Sequence, residues 1–76
     1  MKQPTPLDVR GLAPPDPMVK ILEATATLQP GATLTVLHSR VPALLYPRLA
    51  ERGLLVETVE EEGLVRLTIQ RPPNPG

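Results

Sequence analysis

Two periods of apolar and polar residues alternate along this chain of 76 residues, and each switch between them marks an element. Leu7 and Val9 alternate with Asp8 and Arg10, the period-2 signature of a short strand. Pro4 and Pro6 in front of it cannot donate to a hydrogen-bond ladder, which predicts a strand at the sheet edge. Gly11-Leu12-Ala13-Pro14-Pro15 turns the chain, and Asp16-Pro17 reads as an N-cap followed by proline at the first helical position. Met18, Ile21, Leu22, Thr25 and Leu28 then recur at helical spacing, with Lys20, Glu23, Thr27 and Gln29 largely on the other side. This predicts an amphipathic helix with one face on a sheet, ended by Pro30-Gly31.

Thr33 to His38 places β-branched residues at alternate positions and predicts a strand near the sheet centre. Strand, helix, strand implies a right-handed parallel crossover. Ser39 to Pro42 reads as a loop, and about Ala43 to Arg52 as a shorter helix stopped by Gly53, with Pro47 confined to its first turn. Leu54 to Glu60 and Leu64 to Arg71 form a closing hairpin. A two-residue Glu62-Gly63 connection sets Val56 opposite Ile69 and Thr58 opposite Leu67, whereas a three-residue loop would push Glu57 onto the buried face. Val65, Leu67 and Ile69 are then expected to meet the helices, while Arg66, Thr68 and Gln70 face out beside Leu55, Glu57 and Val59. The order β-α-β-α-β-β is that of an α/β (α+β) two-layer sandwich, a four-stranded mixed sheet with both helices on one face. A single domain over residues 1–71 and a flexible proline-rich tail over 72–76 are expected.

Composition narrows the function. A chain of this length buries only about 60% of the surface exposed when unfolded, which leaves no volume for a deep catalytic cavity. There is no cysteine, so disulfides, thiolate metal sites and thiol nucleophiles are excluded. Eight basic and eight acidic residues cancel, and Tyr46 is the one aromatic residue, so nucleic acid is disfavoured on both charge and stacking. The opening MKQPTPLDVR lacks the apolar run of a signal peptide or membrane span, which predicts a cytoplasmic protein away from membranes.

The run Leu7-Asp8-Val9-Arg10-Gly11-Leu12-Ala13-Pro14-Pro15-Asp16-Pro17-Met18 resembles the opening of the TusA-like (SirA-like) sulfur carriers, L-D-x-R-G-L-x-C-P-x-P. Pro14 stands where the cysteine belongs. The Pro30-Gly31 turn, the strand from Thr33 to Leu37 and the hairpin fall in register with that family, so the likeness runs from Leu7 to Arg71. It is closer still to a cysteine-less, uncharacterised bacterial branch with P-P-x-P-M and H-x-R-x-P-x-x-L-Y-P. The second motif reads here His38-Ser39-Arg40-Val41-Pro42-Ala43-Leu44-Leu45-Tyr46-Pro47, with Ser39 where many relatives carry Asp. In the sulfur carriers the resemblance implies a thiolate or persulfide held at a helix N-terminus. Without the sulfur this chain is expected to be no enzyme.

At that helix start the Asp16 carboxylate is expected to accept from the N–H groups of Met18 and Val19, worth about 1 kcal/mol as a cap. Asp8 and Arg10 can pair and orient the turn at Gly11, where glycine supplies a positive φ. His38 and Ser39 point to opposite faces of a strand and have no third partner for nucleophilic catalysis, and a lone histidine falls short of a metal site. His38 is instead expected to end its strand and hydrogen-bond the following loop. Arg40, Arg48 and Arg52 are expected on a solvated helix face, the alternative being a basic patch, with His38, opposite the acidic Glu57, Glu60, Glu61 and Glu62.

The leading expectation is a non-catalytic protein-interaction module without cofactor or metal, its surface built from Arg10, Pro14, Pro15, Asp16, His38, Arg40 and Tyr46. One alternative is a small-ligand, metal or haem sensor using a pocket between the proline loop and His38, Arg40 and Tyr46. A second is RNA binding, from the likeness of the topology to RNA-contacting domains. The sheet face carrying Leu37, Leu55 and Val59 offers a homodimer contact.

Overall fold

The computed structural model of the chain describes residues 5–74. It consists of strand β1 (Leu7–Asp8), helix α1 (Asp16–Ala26), strand β2 (Thr33–His38), helix α2 (Leu45–Glu51), strand β3 (Leu55–Glu61) and strand β4 (Leu64–Gln70). The strands make one mixed sheet of order β1-β2-β4-β3, with β1 parallel to β2 and the other pairings antiparallel. The β-α-β-α-β-β order therefore gives the expected four-stranded α+β architecture, with β1 at an edge and β2 inside.

Period-2 patterning decides which sheet face is covered. Val65, Leu67 and Ile69 of β4 and Val36 of β2 are buried against Ile21 of α1 and Leu45 and Leu49 of α2, in one aliphatic core. Both helices thus lie on the same face. The hairpin pairs Val56 with Ile69, Thr58 with Leu67 and Glu61 with Leu64, the register that a two-residue connection requires. Gly63 takes the left-handed conformation, φ +80°, while no other residue type among the described residues has a positive φ. Glu62 therefore keeps an ordinary backbone, and the turn depends on its glycine.

Several boundaries differ from the sequence reading, those of the hairpin strands by one residue (Leu55–Glu61 and Leu64–Gln70) and three others by more. β1 is only two residues long, although the parallel pairing continues as the Val9 N–H donates to the Leu37 carbonyl at 2.9 Å and Val9 is buried. α2 is shorter than Ala43 to Arg52, with Leu44 at its N-cap and Pro47 in its first turn. α1 ends at Ala26, not at Pro30-Gly31.

The segment that follows α1 is tied to the far end of the chain. The Arg71 guanidinium donates to the Leu28 carbonyl at 2.6 Å and to the Thr25 carbonyl at 3.1 Å. Carbonyls at a helix C-terminus have no intrahelical partner, and a cation there also meets the negative end of the helix dipole. Backbone bonds from Gly31 N–H to Arg71 O and from Arg71 N–H to Ala32 O fix the same junction. Beyond it Pro72 is half-buried and Pro73 and Asn74 are exposed, whereas Pro75 and Gly76, like Pro4 before β1, lie outside the described residues.

Two predictions follow from packing and capping. Leu67→Ala removes a fully buried side chain and is expected to cost about 2–5 kcal/mol, against at most about 0.5 kcal/mol for Leu55→Ala on the open face, read by urea unfolding. Arg71→Met, which keeps the aliphatic stem, is expected to cost about 1–3 kcal/mol and to raise amide exchange first in the last turn of α1.

Candidate functional site

The loops that follow β1 and β2 leave the same end of two parallel neighbours, and such ends are where open α/β sheets hold ligands. Between these loops and the start of α1 lies a cleft of about 410 Å³. One wall is Leu12, Pro14, Pro15, Pro17 and Met18; the other runs from His38 to Leu45. Proline fixes its own φ and carries no N–H, so the walls are both preformed and poor in donors. Among the lining residues only His38, Ser39 and Arg40 have polar side chains, and none is a carboxylate. Leu12, Val41 and Leu44 on the rim are exposed, Leu44 to 76%.

Asp16 does not cap α1. The Asp16 N–H closes a turn onto the Ala13 carbonyl at 2.9 Å, across a cis Pro14-Pro15 peptide. That turn brings Asp16 into helical register one residue early, so Pro15 becomes the N-cap and its carbonyl accepts from the Val19 N–H at 3.1 Å. The carboxylate makes no capping hydrogen bond, and Asp16 does not line the cleft. The expected occupation of the helix start by its own anion is therefore overturned.

Arg10 also stands apart from the cleft, held by Asp8. Its Nε and Nη2 donate to Oδ1 and Oδ2 of Asp8 at 2.9 and 2.8 Å, and its own N–H donates to Oδ1 at 3.0 Å. These hydrogen bonds draw the Asp8 carboxyl down to about 2 from an ordinary 3.8. The pair steers the chain into Gly11, whose φ is +84°. Tyr46 is turned to the other side of α2, where its hydroxyl shares a 2.7 Å hydrogen bond with Thr58 Oγ1 of β3. Of the seven surface residues proposed from sequence, Pro14, Pro15, His38 and Arg40 come together at the cleft. Arg10, Asp16 and Tyr46 do not.

His38 is the one polar side chain built into the cleft rather than onto it, with 6% of its surface exposed. It ends β2 as the sequence predicts, and the N–H groups of Ser39 and Arg40 donate to its Nδ1 at 2.9 and 3.3 Å. A backbone N–H can only donate, so Nδ1 must be the unprotonated nitrogen and the ring proton resides on Nε2. Among the described residues no buried side-chain nitrogen or oxygen lacks a partner, so the Nε2–H, which no neighbour accepts, opens to the cleft. Burial, with a smaller contribution from the Arg40 charge, lowers the imidazole's pKa below its ordinary 6.5.

This tautomer limits the chemistry. Nε2 already carries its proton and cannot accept another, and Nδ1 is engaged, so the ring is a neutral hydrogen-bond donor and not a base. In this state it also offers no lone pair to a metal, and among the described residues no three His, Cys, Asp or Glu cluster as a ligand set. The rim leucine is what sequence reading missed. Leu44 is the N-cap of α2 and Leu45 its first residue, and the two point in different directions: Leu45 is fully buried and Leu44 is exposed.

The pH dependence follows from the direction of the histidine shift. The unfolded chain binds a proton at His38 near pH 6.5, the folded chain only at lower pH, so stability is full above that value and falls as pH drops below it. Urea melts from about pH 7.5 to 5 are expected to show this slope, and His38→Asn, which keeps an acceptor for the loop, is expected to flatten it. Asp8 acts in a separate window, contributing above 3.8 and losing its contribution toward about 2.

No helix among the described residues is long and apolar enough to cross a membrane. No curated protein matches the chain. A family described as uncharacterized conserved protein (DUF2249) matches residues 6–71, which takes in every strand, both helices and both loops of the cleft, and the chain belongs to that family.

Proposed function

We propose that this chain is a non-catalytic protein-interaction module, and that its cleft receives an apolar segment of a partner protein. The observation that carries this reading is the cleft itself: proline-built walls of aliphatic side chains, with Leu44 presented at the rim at 76% exposure. Preformed apolar clefts lose little conformational entropy on binding, and covering Leu44 is worth about 1.5–3 kcal/mol.

The resemblance of the opening residues to TusA-like sulfur carriers supports the same reading. In those proteins the cysteine occupies the position of Pro14, which lines the cleft here. A domain that once met partners at this place to hand over sulfur would keep the meeting surface after losing the reactive atom. No lining side chain supplies a nucleophile paired with a base, since His38 is locked as a donor and Ser39 reaches it only through its backbone. RNA binding draws little support from a cleft with one cation, Arg40, and no Phe, Tyr or Trp for bases to stack on.

The test is site-specific capture in the native cell, with a photo-crosslinking residue at Leu44 in the full chain. A single partner is expected, lost with Leu12→Asp and Val41→Asp but retained with Leu55→Asp on the opposite face. Reassembled from purified components, the complex is expected to weaken at least about tenfold with Leu44→Asp. A partner that ignores the cleft substitutions, or equal loss with Leu55→Asp, would overturn the assignment.

A further inference from the structure

Deepening that reading, we propose that the cleft recognises a carboxylate joined to an apolar group, and that its source is the C-terminal residue of the partner chain. The donor inventory leads there. Four of the lining residues are prolines without an N–H, and the nearly buried His38 turns its Nε2–H, which has no acceptor among the described residues, into the cleft beside the exposed Ser39 hydroxyl. Arg40 lines the same cleft, makes no ion pair among the described residues, and meets no carboxylate in the lining. Charge complementarity therefore asks for an anion, and the two donors differ usefully. The imidazole is rigid, held by two backbone hydrogen bonds, whereas the guanidinium is exposed and can close over its ligand.

The surrounding surface selects the rest of the ligand. Phosphate or sulfate would leave the aliphatic walls uncovered, while a carboxylate bearing an aliphatic side chain fills both parts. The exposed Leu12, Val41 and Leu44 add apolar lining to that of Pro14, Pro15 and Met18, more than a single aliphatic side chain can cover. An extended chain end covers it: the terminal carboxylate at His38 and Arg40, the last side chain against Pro14, Pro15 and Met18, and preceding residues over the rim.

The probe is a pool of acetylated tetrapeptides ending in Leu, Ile, Val, Met or Phe, offered as free acids and as C-terminal amides, beside 4-methylpentanoate as the small acid. Binding is followed by backbone amide shifts of the full chain and by the imidazole nitrogen signals. Free-acid peptides are expected to shift Ser39, Arg40 and Leu44 and the Nε2–H signal, and to bind at least tenfold more tightly than their amides. His38→Asn preserves an oxygen acceptor where Nδ1 stood but removes the Nε2–H, so it is expected to lose tenfold in affinity while its amide spectrum away from the cleft stays unchanged. Arg40→Gln is expected to lose a similar factor.

Amides binding as tightly as acids, or an unchanged affinity in His38→Asn, would overturn carboxylate recognition while leaving Leu44-dependent capture of a partner standing. Equal binding of 4-methylpentanoate and the peptides would overturn the chain-end source. Tight acid binding with no Leu44-dependent partner would instead remove the interaction reading. Silence from every probe at millimolar concentration, with partner capture intact, would remove this inference alone.

Discussion

The pairing of β4 with both β2 and β3 is the constraint on which the rest of this molecule depends. β4 has neighbours on both sides, its inward side chains form the floor of the core, and its register is set by the tight connection at Glu62-Gly63. A slip of one residue would turn Leu67 to solvent and drive Arg66 into the helices. The same register delivers two remote groups. At one end it carries Arg71 to the carbonyls of Thr25, in the last turn of α1, and Leu28 just beyond it, and at the other it sets Val65 opposite His38, where β2 runs out into the cleft. The junction after α1 and the site geometry share one strand alignment.

Much of this was legible because the chain is locally consistent. Strand and helix periods do not conflict, the glycines and prolines punctuate them, and only one hairpin register keeps Glu57 out of the core. The features that were not legible share a cause, which is contact between residues distant in sequence or competition between overlapping turns. Arg71 lies more than forty positions from the carbonyls it meets, and no local pattern announces such a bond. Asp16 has the composition of an N-cap, but the turn closed by Ala13 starts the helix before its side chain can serve. Tyr46, next in the chain to the cleft residues, points to Thr58 because α2 places successive residues about 100° apart.

In the cleft the sequence identified four residues that meet and three that do not, and the difference is again directional. Pro14, Pro15, His38 and Arg40 belong to the two loops that follow parallel strands, whereas Arg10 is claimed by Asp8 and Tyr46 by β3. A histidine beside a serine reads on paper as a catalytic hint. In three dimensions the serine contributes its backbone N–H, and that single bond, reinforced by Arg40, decides which ring nitrogen holds the proton. The site's chemical character is thus set by the loop backbone rather than by any neighbouring side chain.

Both borders of the sheet present backbone groups that another copy could extend into a fibre. One border is blunted by brevity, since β1 has two residues; the other, β3, runs for seven and is guarded by charge. Glu57, Glu60 and Glu61 lie exposed along it, so a second copy laid edge to edge would set carboxylate against carboxylate. A small aliphatic domain without disulfides thus closes both borders of its sheet to edge-to-edge growth, one by length and the other by charge, while its exposed apolar side chains stand elsewhere, Leu44 at the cleft and Leu55 and Val59 on the open face.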